Sequence, residues 1–190
     1  KGVMVEHGGA VNLLEWYTES YEFDDKSATV IISSLSFDLT QKNIFSMLKS
    51  GGKIVLPSSN HIDASEVHNL ISKHQCTFLN CAPSAFYTLV EPSQAPYESL
   101  QSLKYLFLGG ESIDFERINL WLEETTTLLV NSYGPTECSD VVSSYTLDHK
   151  QSSVDSIPIG RQINNSRLYV LDTNLNLVPK GVTGELYIAG

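Results

Sequence analysis

The seven residues NSYGPTE (131 to 137) follow the apolar stretch TLLV and set an amide, hydroxyls, an aromatic ring, a Gly-Pro turn and a carboxylate side by side. A turn alone does not require that mixture. Tyr133 can stack on a purine, Asn131 can read a base edge, Thr136 can bond a phosphate oxygen, and Glu137 can hold a Mg²⁺ ion that offsets phosphate charge. Gly134-Pro135 is the sharp turn that lets main chain approach a ligand. The bland alternative is a surface turn with a packed Tyr and a solvated Glu.

Three other loops share this character. KYLFL runs into GGES (109 to 112), where Gly109 and Gly110 would let a flat base lie against the backbone, and where Ser112 or Asp114 can equally cap a following helix. ATVIISSLS runs into FDLT (37 to 40), and CTFLN runs into CAPS (81 to 84). Asp38 follows an apolar run, where an unpaired carboxylate is costly. It either caps the next helix or awaits a cation such as a substrate ammonium, with Thr40 as the more ordinary cap. His7, His61, His68, His74 and His149 form neither a metal spacing nor a triad.

The elements that position these loops alternate in type. Val11, Leu14, Tyr17 and Tyr21 recur at helical spacing, ATVIISSLS is a β-branched run, and Ile44, Phe45 and Leu48 mark a second helix stopped by Gly51-Gly52. KIVLP, a helix opened by an Asp63/Glu66 capping box, CTFLNCAP, KYLFLGG, a helix with Phe115, Ile118 and Leu122, and TLLVNSY continue the cycle. This alternation predicts an α/β fold: a flavodoxin-like, mainly parallel sheet with helices on both faces over residues 1 to 142. From 143 to 190 the helical period gives way to apolar/polar alternation in VVSSYTL, SRLYVLD and GELYIAG, the start of a smaller antiparallel, β-barrel-like subdomain. In a parallel sheet all four loops leave the same edge, where open α/β sheets bind ligands.

Bulk composition excludes several classes. The 190 residues carry 22 acidic and 12 basic side chains, a formal charge of -10 with no basic cluster, which argues against nucleic acid and anionic membranes as partners. Cys76, Cys81 and Cys138 form no CxxC pair and read as small buried hydrophobes or reduced thiols in a cytoplasmic protein. No stretch reaches the roughly 18 apolar residues of a membrane span. Both ends read as cut.

Taken in order, KGVMVEHGGAVNL (1 to 13), SFDLT (36 to 40), NSYGPTE (131 to 137), IPIGRQINNSRLYVLD and GELYIAG (184 to 190) resemble the adenylation domains of nonribosomal peptide synthetases. These lie within the larger family of acyl- and aryl-adenylate-forming ligases. The resemblance implies activation of an amino acid by ATP, with an aminoacyl-adenylate and pyrophosphate as products, then transfer to a phosphopantetheine thiol. It implies ATP and Mg²⁺ as cofactors, and peptidyl carrier and condensation domains of the same synthetase as partners. By position, it gives Thr136 and Glu137 the catalytic contacts, Glu137 holding the metal. Gly110, Glu111, Asn131, Ser132, Tyr133 and Gly134 fall on the nucleotide. Asp38 falls on the substrate ammonium, with Leu39, Lys42, Asn80, Phe107, Gly109, Ser132, Asp140 and Val141 completing the side-chain pocket. Lys42 and Asp140 point to a substrate with a polar or charged side chain as the preferred reading; if they pair with each other instead, a neutral one fits.

The family's phosphate loop, ribose-binding aspartate and C-terminal catalytic lysine do not occur in these residues, so the 190-residue piece is expected to be inactive alone. The other readings are an acyl- or aryl-CoA ligase core, against which Asp38 speaks, and a non-catalytic excised binding subdomain.

Overall fold

The computed structural model describes residues 2–58, 63–91, 97–147 and 156–190; His61 and His149 lie outside them. Helices α1 (His7–Ser20), α2 (Asp38–Ser50), α3 (Ala64–His74), α4 (Pro83–Val90) and α5 (Asn119–Glu123) alternate with strands β1 (Ala28–Val30), β2 (Lys53–Val55), β3 (Phe78–Cys81), β4 (Tyr105–Gly109) and β5 (Leu128–Tyr133). These strands run parallel in the order β2-β1-β3-β4-β5, the flavodoxin-like arrangement. Strands β6 (Ser143–Leu147) and β7 (Arg161–Gln162) continue the same sheet in antiparallel sense, and β8 (Arg167–Leu171) pairs with β9 (Glu185–Ala189) in a separate two-stranded sheet.

The hydrogen-bonded sheet therefore runs past the expected boundary at residue 142. VVSSYTL has the alternation of an independent antiparallel strand, but its main chain finds a free edge on β5, with Tyr133 opposite Ser143 and Leu129 opposite Leu147. An unpaired sheet edge and an unpaired strand satisfy each other's backbone groups.

Alternation along the strands separates two cores. Leu106 and Leu108 of β4 join Leu79, Leu129, Phe86, Leu89, Trp121, Val67 and Ile71, so α3, α4 and α5 cover one face. Phe107 joins Phe78, Val130, Leu13, Trp16, Tyr17 and Met47, so α1 and α2 cover the other. The α1 stripe is Leu13, Trp16, Tyr17 and Tyr21, at i, i+3, i+4 and i+8, while Val11 is 51% exposed. The capping box at α3 forms by half: the Asp63 carboxylate accepts from Ser65 N, whereas Glu66 accepts from Ser58 N at 2.7 Å.

Helix α2 departs most from its sequence pattern. Its buried residues are Thr40, Lys42, Asn43, Ser46 and Met47, whereas Phe45 and Leu48 are 51% and 66% exposed. An amphipathic helix normally buries its apolar stripe. The inward face of α2 is polar because it packs on polar partners, chiefly Asn80 of β3 and Asp140 beyond β5.

Candidate nucleotide and substrate crevice

The loops after β1, β3, β4 and β5 all leave the carboxyl ends of parallel strands. Between β1 and β3, where the strand order reverses, a hollow of about 250 Å³ is lined by Ser33, Ser34, Phe37, Leu39, Cys81, Ala82, Gly109, Gly110 and Glu111. This is the switch point at which open α/β sheets take ligands. A second cavity, of about 640 Å³, lies beyond β5, between Glu137, Cys138, Ser139 and Val141 on one side and Gly9, Asn12, Ile163 and Ile188 on the other.

Strand alternation divides the expected residues between the two faces of the sheet. Asn80 pairs in register with Phe107, Phe107 with Val130, and Gly109 with Ser132, so all of these side-chain positions lie on the face covered by α1 and α2. Asn131 and Tyr133, one residue out of phase, fall on the opposite face. NSYGPTE thus presents one set of groups to each side of β5. The Tyr133 ring is 39% exposed and Glu137 is exposed, with no hydrogen bond or ion pair occupying its carboxylate among the described residues. Thr136 and Glu137 form a 3-10 turn (Thr136–Cys138). Gly134 is required there, because a β-carbon would collide with the Asp140 carbonyl oxygen and lie 2.9 Å from Val141 Cα. Gly110 sits at φ +82, a left-handed conformation that glycine adopts without strain.

Two of the expected ligand contacts are already engaged. The Glu111 carboxylate accepts from Ser84 N at 3.1 Å and Ser84 Oγ at 3.0 Å, clamping the first turn of α4, which has no cap of its own. The Asn131 amide nitrogen donates to Pro158 O at 2.9 Å and tethers the IPIG segment to β5.

Substrate-side residues form a buried polar cluster. The Lys42 ammonium reaches the Asp140 carboxylate at 2.7 Å, the two side chains being 2% and 12% exposed. Burial pushes the Asp140 carboxyl above the usual carboxylate range; Lys42 pulls it back in part, and the nearby Asp38 charge adds to the rise. Asn80 donates to Asn43 Oδ1 at 2.8 Å and to Leu39 O at 3.3 Å. Asp38 is the first residue of α2 and takes only the amide of Leu39, at 2.8 Å; no ion pair engages it among the described residues. Thr40 does not cap the helix: its hydroxyl donates to Ser34 O at 2.8 Å and closes the preceding loop. Ser139 and Asp140 both have positive φ, 65 and 74, so the turn that carries Asp140 to Lys42 holds two residues in a sparsely populated conformation.

Tyr17 adjoins this cluster from the core side. It lies in α1, is fully buried, packs on Phe107 with ring centroids 4.8 Å apart, and has the Lys42 ammonium 5.9 Å from its ring. Nothing in its helical spacing distinguishes it from a core residue.

A parallel sheet with a hollow at its switch point, an exposed ring and free carboxylate after β5, and an unpaired carboxylate at the start of α2 make an open α/β crevice with an adjoining polar cluster. The family model "AMP-binding enzyme" matches residues 1–190. The chain belongs to that family, in its nonribosomal peptide synthetase adenylation branch. Bacitracin synthase 3 of Bacillus licheniformis is 35% identical over 191 residues, an alignment that covers 100% of this chain and 3% of that protein. Surfactin synthase subunit 2 of Bacillus subtilis is 32% identical over 195 residues, covering 100% and 5%. Among solved structures, the nonribosomal peptide synthetase FmoA3 superposes with TM-score 0.90 at 26% identity over 100% of this chain and 21% of that one. Its AMPPNP-bound form gives 0.88 at 25%. The chain thus spans a small part of the relatives it matches. Among the described residues no helix is long and apolar enough to cross a membrane.

Proposed function

We propose that this chain forms the nucleotide- and substrate-binding core of an amino-acid-activating enzyme of the cytoplasm. The substrate carboxylate attacks the α-phosphorus of ATP, the bond from that phosphorus to the β-bridging oxygen breaks, and pyrophosphate leaves with the aminoacyl-adenylate behind. A phosphopantetheine thiol on a peptidyl carrier domain then attacks the acyl carbon and releases AMP, and a condensation domain takes the thioester onward. The observation that carries this reading is Asp38, a half-buried carboxylate without a cationic partner among the described residues, while the nearby ammonium of Lys42 is taken by Asp140. A partly buried unpaired carboxylate favours a bound cation, which the substrate α-ammonium supplies.

In this reading Tyr133 stacks on the adenine, the Asn131 oxygen accepts from its exocyclic amine, and the main chain at Gly110 lies against the base. Thr136 donates to a phosphate oxygen. The donor set fits Mg²⁺: no group of three acidic, His or Cys residues occurs among the described residues, and Glu137 offers one free carboxylate. A magnesium ion held by one carboxylate and the nucleotide phosphates needs no more, and it would offset the charge that develops on pyrophosphate. No Lys or Arg lines either cavity among the described residues, and in this reading the cation that stabilises the pentavalent phosphorus is supplied from outside these linings. The 190-residue chain by itself is accordingly expected to exchange far more slowly than the intact protein.

ATP–pyrophosphate exchange on the intact protein with a panel of amino acids tests the proposal. One or more amino acids should drive exchange, and Asp38→Ala should lower it by about 100-fold or more, the order expected for loss of a positioning ion pair at the reacting end of a substrate. Equal exchange with a carboxylic acid lacking the amine would point to an acyl- or aryl-CoA ligase instead. Absence of ATP and amino acid binding by calorimetry would point to a non-catalytic module.

A further inference from the structure

Resting on that reading, the main chain at Gly109 and Gly110 has to be held where the base lies, and the loop after β4 supplies few contacts of its own. Its near end is fixed by the sheet: Gly109 pairs in register with Ser132, and a β-carbon there would lie 2.8 Å from the Ser132 carbonyl oxygen. Gly110 has no such neighbour. It turns through φ +82, and a β-carbon on it would meet no heavy atom within 4 Å. Glu111, Ser112 and Asp114 beyond it are exposed. A shelf this bare keeps one conformation only if its far end is tied down.

The tie is a seam along α4. Ser84, Tyr87 and Glu91, at i, i+3 and i+7, follow one side of that helix to its end. Glu111, Asp114 and Arg117, every third residue of the loop, meet them in the same order. The Glu111 carboxylate accepts from Ser84 N and Oγ, Tyr87 Oη accepts from Asp114 N at 2.6 Å, and Arg117 sets its Cζ 4.2 Å from the centre of the Tyr87 ring and its Nη2 3.4 Å from the Glu91 carboxylate. Tyr87 is 6% exposed, so the middle contact is anchored in the core, whereas the outer ion pair is open to solvent and adds little. The start of α4 and the loop also form two sides of the hollow at the switch point, through Ala82 and Ala85 on one and Gly109, Gly110 and Glu111 on the other.

We propose that this seam positions the shelf for the nucleobase, with Tyr87 and Ser84 as positioning residues that act through Asp114 and Glu111 to set where the Gly109–Gly110 main chain meets the base. Neither Tyr87 nor Ser84 lines the hollow or the larger cavity, so both act at second hand. When a ligand binds only the ordered form of a loop, its apparent affinity falls with the fraction of time the loop spends in that form. Loosening the seam therefore weakens ATP and spares the amino acid, whose ammonium meets Asp38 on α2.

Pyrophosphate exchange on the intact protein, with the amino acid that drives it best, tests this through the KM for each substrate. Tyr87→Phe keeps the ring under Arg117 and loses only the acceptor for Asp114 N. It should raise the KM for ATP by about three- to fivefold, the worth of one hydrogen bond, with kcat and the amino acid KM within about twofold of wild type. Combined with Glu111→Ala, the rise should reach about tenfold or more. Glu111→Gln alone retains an oxygen acceptor for Ser84 and should hold the ATP KM within about twofold of wild type, which a direct contact between the Glu111 charge and the nucleotide would not allow. Thermal melts confirm that each variant is folded at the assay temperature. An ATP KM unchanged in Tyr87→Phe and in the double variant, an equal rise in both KM values, a fall in kcat alone, or equal losses in Glu111→Gln and Glu111→Ala overturns the proposal and leaves amino acid activation standing. Exchange driven by no amino acid in the wild-type protein overturns both.

Discussion

Lys42→Met breaks the one buried ion pair among the described residues while keeping the length and apolar stem of the side chain. Removing one partner of a buried pair typically costs about 3–5 kcal/mol, because the other charge is left desolvated and unmatched. Asp140 retains 12% of its side-chain exposure, which favours the lower end, about 3 kcal/mol. With an unfolding entropy of about 2.1 cal/mol/K per residue, 190 residues give about 0.4 kcal/mol per kelvin, so the melting temperature should fall by about 7–8 °C. Adding Asp140→Asn should recover at least half of that loss, since Asn removes the stranded charge and tolerates the left-handed conformation at φ +74.

The deficit should also depend on pH. In the folded chain the Asp140 carboxyl titrates above the usual carboxylate range, mainly through burial, with Lys42 opposing the rise. A carboxyl with a raised folded pKa gives up stability as pH rises through that value. Losing Lys42 raises it further, so the variant's deficit should be largest near pH 7 and shrink as the pH falls toward 4. Thermal melts by circular dichroism from pH 4 to 8 read both effects. A Lys42→Met melting temperature within about 2 °C of wild type at every pH, unchanged by Asp140→Asn, would refute the assignment of a buried, stabilising pair.

Glu137→Gln should leave the melting temperature unchanged, since the side chain is exposed and unbonded, yet lower exchange by about 100-fold and raise the Mg²⁺ concentration needed for half-maximal rate; a variant with wild-type Mg²⁺ dependence would exclude Glu137 as the metal contact. Glu111→Ala removes the acceptor for Ser84 N and Oγ at the start of α4, and the loss of a helix cap predicts about 1 kcal/mol, a drop of about 2–4 °C in the melting temperature. Burial pushes the Cys76 thiol up to about 11 and the Cys81 thiol higher still, so iodoacetamide at pH 8 should label Cys138 alone in the native protein and all three cysteines after denaturation, with mass spectrometry reading the sites.

Much of the fold was legible because its signals are local. Alternating periods of 3.6 and 2 announced βαβ units, and parallel pairing then forced the loops after β1, β3, β4 and β5 onto one edge whatever the side chains did afterwards. Asp63 as a helix cap, Asp114 as the cap of the turn at Phe115–Arg117, and Gly134 at a close backbone approach follow from chemistry within a few residues. Distance along the chain does not dilute such signals, since each is complete in itself.

What the tertiary structure alone decided is who meets whom. Lys42 and Asp140 are 98 residues apart, and the sequence reading preferred a polar or charged substrate side chain as their partner over pairing with each other. Glu111, read as a nucleotide contact, is drawn to Ser84 because α4 begins on an uncapped Ala82, and Asn131 is drawn to the main chain of Pro158, 27 residues on. Helix α2 defeated its own apolar pattern, turning Phe45 and Leu48 outward and Lys42 and Asn43 inward. Periodicity states that a helix has two faces. Which face is buried depends on what the rest of the molecule sets against it, and here that is a polar crevice rather than an oily core.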